Sequence, residues 1–163
     1  MIVELEWFEL RLAVECAMAR TIGAWEKERR NVAGYVPKDF FDTDVKAAGA
    51  EMAVAKALGM YWDGSVGRFK KEADIGKDIE VRMTSMRIPR LIVRPNDSKN
   101  PDRKFVLVHD RCSVGKKFCY DIMGWIHCKD AMNDNFLTDN GNGRPPAWFV
   151  PVVHLLPVED LCS

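Results

Sequence analysis

Residues 72–82, Glu72-Ala-Asp74-Ile-Gly-Lys-Asp78-Ile-Glu80-Val-Arg82, crowd acids and bases into one short stretch. Gly76-Lys77-Asp78 reads as a three-residue hairpin turn. Such a turn sets Asp74 opposite Glu80 on neighbouring strands, near enough for the two carboxylates to share a ligand. Strand alternation sends Glu80 and Arg82 to one face and turns Ile79 and Val81 into the core. Two carboxylates and a cation on one face suit a hard divalent ion. Mg²⁺ takes oxygen ligands, commonly one or two carboxylates completed by phosphate and water. Bound there, it polarises a phosphodiester and lowers the pKa of an attacking water, while a neighbouring cation stabilises the charge that grows on phosphorus.

Each of these residues also has a plain structural use. Asp74 and Asp78 beside Gly76 suit turn residues that cap their own backbone. Glu80 and Arg82 suit an exposed surface pair worth under about 1 kcal/mol. Glu51, in the middle of an alanine-rich segment, suits a solvated helix position. Taken one at a time, each of these residues is better explained by its structural use.

The elements that must hold these residues follow from periodicity. Residues 2–30 contain no Pro and a single Gly. Phe8, Leu12, Cys16, Ala19, Ile22 and Trp25 recur there at helical spacing, which predicts one long helix with an apolar stripe. Core packing is the expected use of that stripe, and a homodimer seam is the alternative. Residues 31–41 read as a loop. A second helix is expected from about Thr43 to Leu58, capped by Thr43 or Asp42 and closed by Gly59. Its alanines make it slim enough to lie close to a sheet. Strands are expected at Val66–Ala73, Ile79–Met83, Leu91–Arg94, Phe105–His109 and Phe118–His127. A short helix at Lys129–Asn135, a loop at 140–146 and short pieces from Trp148 to Leu161 complete the chain. The order argues for one mixed α/β domain over residues 1–163 with one sheet: a helix over 1–30, a core over 43–127 and an extension over 128–163.

Gly49-Ala-Glu51 on a helix, then Asp74, then Glu80-Val-Arg82, resembles the PD-(D/E)xK nuclease superfamily. Leu91-Ile-Val-Arg94-Pro, Phe105-Val-Leu-Val108 and Gly124-Trp-Ile126 add to the likeness, which is to small phage-encoded members and covers residues 43–127. The resemblance implies a restriction-endonuclease-like fold, with a mixed central sheet flanked by helices, and Mg²⁺- or Mn²⁺-dependent hydrolysis of DNA. Glu51, Asp74 and Glu80 would hold the metal, and Arg82 would take the place of the family's lysine. That substitution matters, because an arginine binds phosphate bidentately but stays charged and cannot serve as a base. Lys70, Lys71 or Lys77 would have to supply an amine. A silent relative that binds nucleic acid or a host protein without cutting is the competing expectation.

Charge distribution fits a polyanionic partner. Lys plus Arg and Asp plus Glu both number 24, yet residues 66–117 hold 14 basic and 7 acidic side chains, a local +7. A positive middle attracts phosphate while the rest keeps the chain soluble. Arg87, Arg90 and Arg94, with Lys77, are the expected DNA-backbone contacts, extended by Lys99, Arg103 and Lys104. Trp62 is near enough in sequence to stack on a base. Trp7, Trp25 and Trp125 lie in apolar stretches and read as core.

Several classes are excluded. No run of 18 apolar residues exists for a membrane span, and the acidic start does not suit a signal peptide. Five cysteines with no Cys-x-x-Cys spacing argue for reduced thiols in a cytoplasm, that of the host if the chain is phage-encoded. His109, Cys112, Cys119, His127 and Cys128 match no common zinc spacing. No phosphate-binding Gly-x-x-x-x-Gly-Lys or dinucleotide Gly-x-Gly-x-x-Gly loop is present.

Overall fold

The computed structural model describes residues 1–26, 40–66, 72–111, 118–139 and 145–162. Its elements run β1 (Ile2–Glu4), α1 (Trp7–Glu26), α2 (Phe40–Ala57), β2 (Ile79–Thr84), β3 (Arg90–Val93), β4 (Lys104–Asp110), β5 (Cys119–His127), α3 (Cys128–Ala131), β6 (Leu137–Thr138) and β7 (Ala147–Pro151). Short 3-10 turns fall at Pro95–Lys99, Asp134–Phe136, Val152–His154 and Val158–Cys162. The class is mixed α/β, as expected, but with two sheets rather than one. The larger has the order β1-β5-β4-β2 and the smaller β3-β7-β6. β2 and β4 are parallel, whereas β4 with β5 and β5 with β1 are antiparallel. A parallel pair needs a crossover. Here the connection between β2 and β4 carries β3, which leaves the main sheet to pair with β7.

Strand β4 is covered on both faces. Val106 and Val108 join α2 residues such as Val54 in one cluster, while Phe105 and Leu107 join Leu91, Val93 and Val150 of the second sheet in another. The layers are therefore helices, main sheet, small sheet. Helix α2 lies tight on the sheet because Gly49 faces Tyr120 of β5, and a Cβ there would overlap the tyrosine ring and hydroxyl. Its end is the expected glycine cap: Gly59 has φ 62°, and Met60 N–H donates to Ala55 O at 2.9 Å, closing a Schellman turn.

The amino-terminal segment departs from expectation. Ile2 to Glu4 pair with β5 rather than entering the helix, and the helix starts at Trp7, with Glu6 N–H donating to the Glu9 carboxylate at 2.7 Å. Residues 27–30 lie outside the described set. Of the stripe expected to be core, Cys16 is buried and the rest faces outward. Ala13 and Ala17 of α1 meet Val45 and Ala48 of α2, whereas Phe8, Leu12, Ile22 and Trp25 are exposed. Small residues on both helices permit close approach, so the seam selects alanines and turns the bulky residues away. Trp7 and Trp25 are consequently not core, while Trp125 is buried. The expected strand at Val66–Ala73 does not form at Val66 or at 72–73, and residues 67–71 lie outside the described set. The expected helix at Lys129–Asn135 is instead α3 followed by a 3-10 turn.

Candidate active site

Helix α2 carries Glu51 inward, where its residue is 6% exposed. An isolated carboxylate cannot stay charged in such a place without partners. Arg20 of α1 supplies them: its Nη1 and Nη2 donate to Glu51 Oε1 and Oε2 at 2.7 and 2.8 Å. Trp62 Nε1 donates to Oε2 at 3.0 Å, and Arg20 Nε donates to Ser65 O at 3.0 Å. Burial pushes the Glu51 pKa up; the Arg20 bonds oppose that, and the charge of Asp74 adds to it. Arg20 is shifted upward because the Glu51 bonds outweigh its own burial. Trp62 is thus tied to Glu51 through its indole N–H and packs partly against the core. A ligand role for Glu51 would require Arg20 to let go.

The turn at Gly76 forms with the expected geometry but little strand around it. Ile75 and Ile79 exchange N–H···O bonds of 3.1 and 3.3 Å as an isolated bridge, and Gly76 has φ 60°. Asp74 sits across from β2, and its Oδ2 accepts the Val81 N–H at 2.8 Å. β2 is the edge of the main sheet, so Asp74 caps a donor the ladder leaves unpaired. Among the described residues its carboxylate takes no guanidinium hydrogen bond. Burial raises its pKa against the lowering effect of the Val81 bond and of Arg82, Arg20 and Arg103.

Glu80 and Arg82 share the β2 face opposite Ile79 and Val81, as strand alternation requires. Arg82 Nη1 donates to Glu80 Oε1 at 2.9 Å, and Arg103 Nη1 to Glu80 Oε2 at 3.1 Å. Arg82 Nη2 also reaches Asp97 Oδ1 at 3.2 Å, and its guanidinium lies 5.0 Å from the centre of the Phe105 ring. Asp97 is itself fixed by the Arg94 N–H at 2.8 Å. Burial, then the charge of Asp74, pushes Glu80 up to about 6 against the pull of Arg82 and Arg103. Asp74 is therefore the shared member: its charge acts on both Glu51 and Glu80.

The expected DNA contacts divide. Arg94 borders the cluster, its pKa lowered by burial and by the charge of Arg82. Lys77, on the turn, lines an open cleft of about 300 Å³ with Asp78, Lys99, Asn100, Pro101, Asp102 and Arg103. Arg90 begins β3 of the second sheet and Arg87 lies in the loop before it, both exposed. Lys70 and Lys71 lie outside the described residues. Asp97, Arg20 and the ion-pair role of Arg103 are the parts that sequence spacing missed. Asp97 follows Arg94-Pro-Asn, a turn signal, but nothing local links it to Arg82.

Comparison with protein-family models, curated proteins and solved structures finds no match. The chain's chemistry therefore rests on its own geometry.

That geometry can be tested against a divalent cation. Among the described residues no group of three or more His, Cys, Asp or Glu side chains is arranged to hold a metal. What remains is a pair, Asp74 and Glu80. Their oxygens suit Mg²⁺ or Mn²⁺, and a pair is the usual protein share of a Mg²⁺ shell. Burial first and the charge of Asp74 second raise the Glu80 pKa, while Arg82 and Arg103 already oppose that rise. The donor chemistry of the pair suits such an ion, with both Glu80 oxygens taking guanidinium bonds as the site stands. No helix among the described residues is long and apolar enough to cross a membrane.

Proposed function

We propose that this protein hydrolyses DNA phosphodiester bonds with a divalent cation, Mg²⁺ or Mn²⁺, held by Asp74 and Glu80. One observation carries the reading. A half-buried Asp74 carboxylate, without a guanidinium bond among the described residues, caps the β2 edge at Val81 N–H across the Gly76 turn from Glu80, which carries Arg82 and Arg103. The cation would polarise the phosphodiester and acidify an attacking water. The chain's own groups do the rest. Arg82, charged at every working pH, moves from Glu80 to a non-bridging phosphate oxygen and stabilises charge growing on phosphorus. Arg103 keeps Glu80 oriented. Glu51, anchored by Arg20, adds negative charge beside Asp74 without leaving α2. Lys77 and Arg94 hold neighbouring phosphates, which places the strand across the β2 edge.

The test is nicking of supercoiled plasmid with Mg²⁺ or Mn²⁺. Asp74→Asn keeps an acceptor for Val81 N–H, so it should fold normally and abolish nicking. A wild-type chain that leaves plasmid intact with either ion removes the enzyme.

A second reading has its own observation. Both oxygens of Glu51 and of Glu80 are already held by guanidiniums. A site neutralised in this way suits a silent member that binds nucleic acid without cutting it. It would retard DNA in a gel, with affinity falling steeply with salt, and leave it whole.

A further inference from the structure

We infer that the outward face of α1 is the seam of a two-fold homodimer. Helix α1 turns Ala13, Cys16, Ala17 and Thr21 to the protein. Its other side exposes Trp7 by 73%, Trp25 by 68%, and Phe8, Leu12, Met18 and Ile22 by roughly half each. With about 150–250 Å² for a large side chain, these six residues present on the order of 700 Å² of apolar surface along one face, interrupted by the Arg11–Glu15 pair. That exceeds the ~300–600 Å² of the largest patch on an ordinary monomer and approaches the ~800 Å² each partner contributes to a standard interface.

The pattern also says what the occupant is. Phe8, Leu12, Glu15, Ala19 and Ile22 recur at alternating four- and three-residue spacing, the register of a helix–helix seam. Turned end for end about its midpoint, the same stripe complements itself. Leu12 meets Ile22 of a second copy, the small Ala19 faces Glu15, and Phe8 lies over the Glu26 end of the partner helix. A two-fold axis then makes each contact twice. Glu15, the charged residue at the middle of the stripe, is paired with Arg11 at 2.9 Å on its own helix. The whole chain has zero net charge, so two copies approach without long-range repulsion. A second copy is therefore the occupant that this face fits without further parts.

The experiment is sedimentation equilibrium of the full chain over a wide concentration range. Wild type should show twice the monomer mass. Leu12→Glu and Ile22→Lys each change an exposed position, so each variant should fold yet run as a monomer. Combining L12E with I22K sets opposite charges across the axis twice and should restore the dimer. Circular dichroism of each variant separates dissociation from unfolding. A monomeric wild type overturns the inference. A dimer indifferent to both single changes overturns it too. The plasmid assay is independent of either result.

Discussion

Glu51, buried, and Glu80, partly buried, are both acids neutralised by arginine, and the way each is held separates their uses. Glu51 has one guanidinium bound at two points, plus an indole N–H, and that guanidinium is tied in turn to Ser65 O. Its partners come from α1 and the segment after α2, so the ion pair fastens helix to helix. Glu80 divides its oxygens between two arginines, one on its own strand and one just before β4, and one of those also serves Asp97. Glu51 is a latch, Glu80 a shared anchor whose partners can be exchanged. A buried charge whose one ionic partner is fixed cannot change partners without unfolding something; one with two can.

The sharpest way to break this distinction is Arg20→Met. It strands a buried carboxylate and should cost about 3–5 kcal/mol, read from urea unfolding. Pairing it with Glu51→Met should recover most of that loss. An unchanged midpoint for R20M would end the latch picture. Arg103→Met leaves Glu80 with Arg82, so a smaller loss of about 1–3 kcal/mol is expected by the same measurement. Equal losses from R20M and R103M would erase the difference between the two acids.

The titration of Glu80 adds a third test. Its pKa in the folded chain, about 6, stands above the ordinary 4.5. The folded chain thus keeps a proton that the unfolded chain has released. The resulting stability is complete below pH 4.5 and is lost as pH rises through about 6. Urea midpoints should slope downward across that window, and Glu80→Gln should flatten the slope. Cleavage should show the opposite trend, rising over the same range, because a proton and a cation compete for the same oxygens. The smallest effect is expected from Arg82→Lys. It keeps a bond to Glu80 but gives up the fork to Asp97 and the Phe105 ring, at about 1 kcal/mol in a thermal melt. Arg20→Lys should cost more, since it loses two-point binding in a drier place.

Much of the scaffold was legible because its signals are local. The alternation in residues 79–83 located β2, the apolar run at Phe105–Val108 located β4, and Gly59 marked the end of α2. The turn at Gly76 and the meeting of Asp74 with β2 were legible from the same chemistry. Long-range choices were not. Nothing near Leu91 reveals that β3 abandons the main sheet, since its partner β7 lies more than fifty residues on. The orientation of α1 depends on the alanines of α2, so a bulky stripe that reads as core is displaced by small residues that pack closer. Arginine partners were the other blind spot. Arg20 and Glu51 are 31 residues apart, and an ion pair leaves no periodicity behind.

The arginine-filled cluster has a last consequence for how ligands arrive. Glu51, Asp74, Glu80 and Asp97 carry four negative charges, and Arg20, Arg82, Arg94 and Arg103 four positive ones. This small salt lattice is electroneutral as it stands. A divalent ion entering alone would overcharge it, and a polyphosphate strand entering alone would do so with the other sign. Arriving together they cancel, so each must strengthen the other's hold by the same factor, as reciprocal linkage demands. Calorimetry with the ion alone should therefore find weak uptake, and the same titration over DNA held at saturation should find it sharply tightened.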